Sequence, residues 1–454
     1  MNHTTQAQYD LIVIGGGSGG LAAALRAAEH GARVALCEPN ALGGTCVNAG
    51  CVPKKAMWLA ADLSARVDMA RSLGFDLPPV ALDWPTFLVH RQRYIHNIHA
   101  SYRQSLDAAG IALLTSRARL RDAHTVVCTN GIAVRGERLL IATGARPKRP
   151  DVQGAQLGGV SDDFFHWTAS PPRVAIIGAG YIAVELAGML QLLGSRVDVF
   201  ARDQRLLPGF DAELAAQLAE EYRQSGVHLH VGYGLGRVER DTDGEGLRLI
   251  DMAGGVSERF DALLFATGRR ANTDDLGLES VGVVMDAQGR IVVNAANATN
   301  VDSVYAVGDV TTDPALTPVA IAAARRLMDR LYAGATALLD RHDIPTVVFS
   351  YPPLAGVGLT EEDARTRCGD AVQTYRAGFR PMLHALADSP QRSLFKLVCV
   401  GEARRVVGIH LLGQGADEIL QGFAVALKRG ITLDDLRDTM AIHPTSAEEV
   451  VLMR

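Results

Sequence analysis

At 454 residues, 48% of them apolar, the chain is too long for a single core and points to about three domains with no compositional sign of disorder. A net charge of −5 and only six cysteines argue against a generic nucleic-acid partner and against a disulfide scaffold, and no apolar run approaches the roughly 18 residues of a membrane span. The opening MNHTTQAQYD has neither the basic nor the apolar segment of an export signal, so a reducing, cytoplasmic setting is expected.

The first element is YDLIVIGGGSGGLAAALRAAEHGARVALCEP. An apolar strand, Leu11 to Ile14, meets a glycine turn, then an alanine-rich helix, then a second apolar strand ending at Glu38. This is a βαβ unit carrying Gly15-x-Gly17-x-x-Gly20. The glycines permit a tight turn and close approach of a pyrophosphate to the helix N-terminus. Glu38 stands 23 residues after Gly15, where an acid bonds a ribose hydroxyl.

GGTCVNAGCVPKK follows, with Cys46 and Cys51 five positions apart. A staple, a metal site and a redox couple are all open to two such thiols. On an ideal helix their Cα atoms would lie roughly 8–9 Å apart, beyond the ~7 Å that a disulfide tolerates. Closure therefore needs a break in the helix, which Asn48-Ala49-Gly50 allows. Pro53 suits the first turn of the next helix, and Cys51 then lies near its N-terminus with Lys54 and Lys55, influences that favour a thiolate. Zinc would need further ligands, and there is no second cysteine pair. The next stretch, to about residue 110, is helical; His90, His96 and His99 follow no metal spacing and read as surface or packing residues.

LLIATGARP at 139–147 is an apolar run broken at Thr143-Gly144. The βαβ pattern then returns in RVAIIGAGYIAVELAGMLQLLGSRVDVFAR, with Gly178-x-Gly180-x-x-Ala183, and LLFATGRRA at 263–271 repeats the Thr-Gly break at Gly268. Two dinucleotide folds in one chain suit an enzyme that passes electrons between two nucleotides. NAANATNVDSVYAVGDV ends a strand at Gly308-Asp309. Past residue 340, strand-like VVFSYPP, FKLVCV and VVGIHLL alternate with helical ADEILQGFAVALKRG, an α+β texture.

GGTCVNAGCVPKK, GAGYIAVELAG, YAVGDV, LTPVAIAAARR and the final AIHPTSAEEVVLMR, in that order, resemble the flavin-dependent disulfide reductases, the class I pyridine nucleotide-disulfide oxidoreductases. The likeness runs from Tyr9 to Arg454 and is strongest to members that act on glutathione disulfide. It implies an α/β fold with two Rossmann-like dinucleotide-binding domains, for FAD and NADPH, and a C-terminal α+β dimerisation domain. The implied divisions are 1–145 (FAD and the redox disulfide), 146–271 (NADPH), 272–340 (central) and 341–454 (interface of a homodimer). By the same resemblance Cys46 and Cys51 pair as the redox disulfide, with Cys51 facing the flavin and Cys46 attacking the substrate. His443 of the partner subunit would be the acid–base and Glu448 its orienting carboxylate, although Thr445 to Glu448 also fits a helix capping box. Lys54 and Glu185 would pair beside the flavin, and Tyr181, otherwise a packing residue, would gate the nicotinamide.

FAD would be held by Gly15, Gly17, Ser18, Gly20, Glu38, Gly44, Thr45, Thr143, Gly144, Asp309 and Thr317. NADPH would be held by Gly178, Gly180, Tyr181, Ile182, Arg202, Arg205 and Gly268. Ser18, Arg26, Tyr102 and Arg325 would contact glutathione, and no metal is implied. The residue 23 past Gly178 is Ala201, followed by Arg202. A ribose-binding acid is missing and a guanidinium able to pair a 2′-phosphate stands beside the gap, which favours NADPH. The lipoamide-using branch of the family normally has an acid there. Family members that use NADPH carry a second arginine where Pro208 stands, so Arg205 is the nearest substitute. Leu25, Ser101 and Ser105 depart from the glutathione pattern and leave a modified, for instance amidated, glutathione open.

Overall fold

The computed structural model describes residues 8–241 and 244–454; residues 1–7 of the stretch read for an export signal lie outside them. The chain forms two compact units, one of residues 1–54, 86–148 and 269–340, the other of 55–85, 149–268 and 341–454.

The first unit is built on a sheet whose strands run in the order Ala112–Leu114, Val34–Cys37, Gln8–Ile14, Ala133–Ile141, Thr125–Cys128 and Ala118–Asp122, with Val304–Ala306 also on Ala133–Ile141. The pairings around Gln8–Ile14 are parallel, as the βαβ reading requires. Its central strands read as continuous apolar runs because both faces are covered. Ile12, Leu139 and Ile141 face one apolar cluster and Leu11, Val13 and Leu140 the other, all fully buried. Helices Ser18–Glu29 and Thr317–Ala333 pack side by side in the second cluster. A Cβ on Gly19 would stand 3.1 Å from Val307, just past the strand Val304–Ala306, and at an ordinary 3.6 Å from Ala320 of the facing helix.

The second unit holds a parallel five-stranded sheet, in the order His228–Val231, Arg196–Ala201, Arg173–Ile177, Ala262–Phe265 and Gly159–Val160. It repeats the first fold bond for bond. Gly15 N–H donates to Cys37 and Ala142 N–H to Ile14; Gly178 N–H donates to Phe200 and Ala266 N–H to Ile177, all at 2.8–2.9 Å. Gly15 and Gly178 have φ of 108° and 147°, which only glycine adopts without strain. A side chain on either would strike the carbonyl of Ala142 or Ala266. The turn and the Thr-Gly break are thus one construction used twice.

The same unit contains an antiparallel sheet, ordered Thr346–Val348, Leu354–Gly358, Arg405–Leu412, Ser393–Val400 and Val372–Phe379, with helix Ala416–Lys428 packed on it. This is the expected α+β segment. Lys396 lies fully buried in the strand read as FKLVCV, 2.7–3.0 Å from Asp211, Glu213 and Glu361. Among the described residues no helix is long and apolar enough to cross a membrane.

Candidate active site

Helix Gly44–Asn48 carries Cys46 and stops at Ala49, whose backbone leaves helical geometry at φ −148°, ψ 39°. A second helix, Cys51–Ser72, starts at the other thiol, with Pro53 in its first turn. The break expected at Asn48-Ala49-Gly50 is present, and a Cβ on Gly50 would come within 2.7 Å of the Thr45 carbonyl oxygen. Both thiols are free in this structure and share a hydrogen bond.

The two thiols shift each other in opposite directions. Donation from Cys51 lowers Cys46 to about 6 against the opposing effect of burial, with the hydroxyls of Thr317 and Ser18 helping. The interaction with Cys46 pushes the exposed Cys51 up, against the downward pull of the Thr317 hydroxyl and Lys54. Lys54 acts on Cys51 in the direction expected from the sequence, and the neighbouring Cys46 opposes it. Lys55 does not act there. Its Nζ sits 3.1 Å from Asp417 and 4.1 Å from the ring centroids of both Trp58 and Phe349.

Two helices begin at this pair. Ser18, first residue of its helix, bonds Cys46, and Thr317, first of the other, lies 3.8 Å from the Cys51 sulfur. Neither helix has a side-chain N-cap, so their leading N–H groups remain for an anion or a cofactor. Eight residues along, at about 12 Å by helix rise, the two carry Arg26 and Arg325. Arg325 is exposed. Arg26 is held by Asp329 at 2.5 Å and Glu29 at 2.8 Å, and Asp329 also takes His30 at 2.8 Å; sequence reasoning missed this clamp. Tyr102 is raised by burial and then by the charge of Cys46.

The residues expected around a flavin gather in this unit. Gly43 N–H donates to Gly16 at 2.8 Å, which seats the Gly44-Thr45 segment on the Gly15-to-Gly20 turn. Glu38 accepts from Gly16 and Asn40 N–H at 2.7 and 2.8 Å, so its carboxylate is fixed at the strand end. The Thr143 hydroxyl donates to Asn272 at 2.7 Å and Gly144 accepts from Asn272 N–H at 2.9 Å. Asp309 is raised by burial, with Arg269 opposing. Arg269, not anticipated, also bonds Thr45 and the Ala145 carbonyl. A narrow glycine turn, uncapped helix N-termini and a half-buried acid make a fitting cradle for FAD.

In the second fold, Gly180 precedes the uncapped helix Tyr181–Leu192, and a Cβ on Gly180 would meet nothing within 4 Å. The turn is open enough for a pyrophosphate and fits NADPH. Tyr181 is 43% exposed, which rules out core packing; Ile182 is half-buried behind it. Gly268 has φ 112° and open space around it. Ala201 ends its strand buried, and Arg202 next to it is exposed. Arg205 instead donates to the Pro208 carbonyl at 2.9 Å and faces Glu362 at 3.5 Å. Glu185 is buried and accepts the Phe349 N–H at 2.8 Å.

His443 is largely exposed on this chain, its Nδ1 3.0 Å from Glu448. Glu448 accepts the Thr445 N–H and donates its own N–H to the Thr445 hydroxyl. The carboxylate is thus both the orienter and the capping partner. His90 contacts Arg93 at 2.7 Å along its own helix. Of the three histidines read as surface or packing residues, His99 packs in: its Nε2 lies 2.9 Å from Oδ1 of Asn48, which stands between the two cysteines in sequence. No cluster of three or more His, Cys, Asp or Glu suited to a metal occurs among the described residues.

Comparison with known proteins agrees with this arrangement. The family Pyridine nucleotide-disulphide oxidoreductase matches residues 9–324, and its dimerisation domain matches 344–454. Glutathione reductase of Yarrowia lipolytica is 38% identical over 98% of this chain and 99% of its own length. Glutathione reductase of Burkholderia cepacia is 41% identical over 98% of both chains. Duplicated dinucleotide folds, a thiol pair at a helix break and these full-length matches lead to one assignment: the chain belongs to the pyridine nucleotide-disulphide oxidoreductases.

Proposed function

We propose that the protein reduces glutathione disulfide to two glutathiones at the expense of NADPH, using FAD and the Cys46–Cys51 pair, as a homodimer in the cytoplasm. The observation that carries this reading is the Cys46–Cys51 pair across a helix break, with Thr317 3.8 Å from the Cys51 sulfur at the start of a helix that bears Arg325 eight residues on. We assign residues 1–145 to FAD, 146–271 to NADPH, 272–340 to the central domain and 341–454 to the interface.

Bound FAD supplies the electron pair, drawn from NADPH, that opens the Cys46–Cys51 disulfide. Gly15, Gly17, Ser18, Gly20, Glu38, Gly44, Thr45, Thr143, Gly144, Asp309 and Thr317 hold it. Gly178, Gly180, Tyr181, Ile182, Arg202, Arg205 and Gly268 would hold NADPH, Arg205 after leaving Glu362. Lys54 and Glu185 would be the charged residues that serve the flavin.

The Cys46 thiolate attacks one sulfur of the substrate. A Cys46–glutathione bond forms, the substrate S–S bond breaks, and the departing glutathione thiolate takes a proton from His443 of the partner subunit. Glu448 keeps Nδ1 engaged so that Nε2 is the atom that gives the proton. Cys51 then attacks Cys46, the second glutathione leaves, and the protein disulfide closes again. Arg325, with Arg26, Ser18 and Tyr102, holds the substrate's anionic and peptide groups.

Replacing Cys46 by Ser tests the reading. Flavin should stay bound and accept electrons from NADPH, while glutathione disulfide turnover disappears. Substantial remaining turnover would refute the role of Cys46 as the attacking sulfur.

A further inference from the structure

We propose that His99 is a positioning residue for the redox pair, acting through Asn48 to hold the chain break that sets the spacing of Cys46 and Cys51. Asn48 ends the helix that carries Cys46 and precedes the break by one residue. Its Nδ2 donates to the carbonyls of Gly44, Leu42 and Ala41 at 2.9, 3.2 and 3.3 Å. With three acceptors on that side the amide orientation is determined, and Oδ1 faces His99 Nε2 at 2.9 Å. Nε2 must therefore carry the hydrogen. Burial, and then the charge of His96, lower His99, which keeps the ring a neutral donor.

The bond ties two parts of the site that are 51 residues apart in sequence. His99 lies one turn before Tyr102 on helix Trp84–Ala108, and Tyr102 feels the charge of Cys46. The break itself has little slack: Ala49 N–H donates to Thr45 at 2.9 Å, and Gly50 packs against the same carbonyl. Without His99, Asn48 Oδ1 loses its donor and the amide can turn away from the carbonyls it ties. The break then loosens and Cys51 meets Cys46 less often. The cost should fall on attack of one cysteine on the other, and hydride delivery to the flavin should be spared.

The proposal rests on the thiol pair cycling as described above, so its test includes a readout that needs no glutathione. In His99→Leu, reclosure of the reduced pair by the small oxidant diamide, which accepts both electrons and protons, should slow about tenfold, as should glutathione disulfide turnover. The KM for NADPH and the rate of flavin reduction should not change. His99→Gln, whose amide N–H can reach the same oxygen, should restore both rates to within about twofold. To separate spacing from folding, Asn48→Ala should reproduce the loss, and adding His99→Leu to it should cost nothing more. Leu and Gln variants that behave alike, unchanged reclosure in His99→Leu, or additive losses in the double variant would overturn the proposal. Reclosure that depends on His99 in a protein unable to turn over glutathione disulfide would support it while sinking the functional reading.

Discussion

Nδ1 of His443 lies 3.0 Å from Oε2 of Glu448, and Oε1 of the same carboxylate accepts the Thr445 N–H at 3.2 Å. One side chain thus orients an imidazole and ties a turn. The hydrogen bond from His443 is the first reason that Glu448 is held below the usual carboxylate range. Glutamine separates the two tasks, because its oxygen still accepts from Thr445 but it brings no charge to the ring. Glu448→Gln should keep its melting temperature and lose about ten- to a hundredfold in kcat. A variant with normal turnover would leave the carboxylate only its structural task.

The pH dependence of Cys46 follows from its lowered pKa. In the reduced protein its alkylation by iodoacetamide should be fast above pH 6 and fall as pH drops through about 6, because only the thiolate attacks. The leading cause is donation from Cys51. Cys51→Ala should therefore move the half-point upward toward the ordinary thiol value of 9.0, and Thr317→Val should move it less far in the same direction. An unshifted profile in Cys51→Ala would contradict the assignment of the charge.

Arg202 stands exposed where the second fold lacks the acid that Glu38 supplies in the first. Arg202→Ala should raise the KM for NADPH by about tenfold or more and leave NADH use nearly unchanged, since one charged contact to a phosphate is lost. Steady-state kinetics with both nucleotides decide it; equal losses would remove the 2′-phosphate role.

Lys396 is fully buried against three carboxylates. Burial alone would lower it, but Glu361, Glu213 and Asp211 outweigh that and raise it. Lys396→Met leaves the acids without their buried cation and should destabilise the unit by about 3–5 kcal/mol, read as a fall in melting temperature. Asp211 and Glu361 are both lowered, despite burial. Their contribution is complete above the unfolded carboxylate values of 3.8 and 4.5 and is lost as pH falls through the lower folded values. The wild-type protein should therefore lose stability on the acid side of pH 4, and Lys396→Met should lose less there.

What the sequence revealed was local and geometric. Glycines at Gly15 and Gly178, the apolar strands and the thiol spacing each encode a backbone requirement within a few residues, so motif and fold agree. Contacts between distant segments were not legible. Asp329 lies 303 residues from Arg26, and Lys396 185 from Asp211; neither pairing leaves a periodic trace. The lysine sits inside a run that reads as an ordinary apolar strand. The spacing of His99 separates it from a metal ligand but gives no sign that its partner is the amide of Asn48, 51 residues away. Helix terminus and lysines near Cys51 are visible in the sequence, whereas the direction of the bond between the sulfurs is not.

The paired helices that start at Ser18 and Thr317 amount to a yardstick. With the backbone positions of the two arginines about 12 Å along each, a molecule must be long enough to touch sulfur and arginine at once. Free cystine, whose carboxylates lie only a few bonds from its sulfurs, is too short to span that gap, whereas a tripeptide arm is not. Cystine should consequently be turned over at least a hundredfold less efficiently than glutathione disulfide, a difference of about 2.7 kcal/mol in transition-state binding, and the gap should narrow when Arg325 is replaced by alanine.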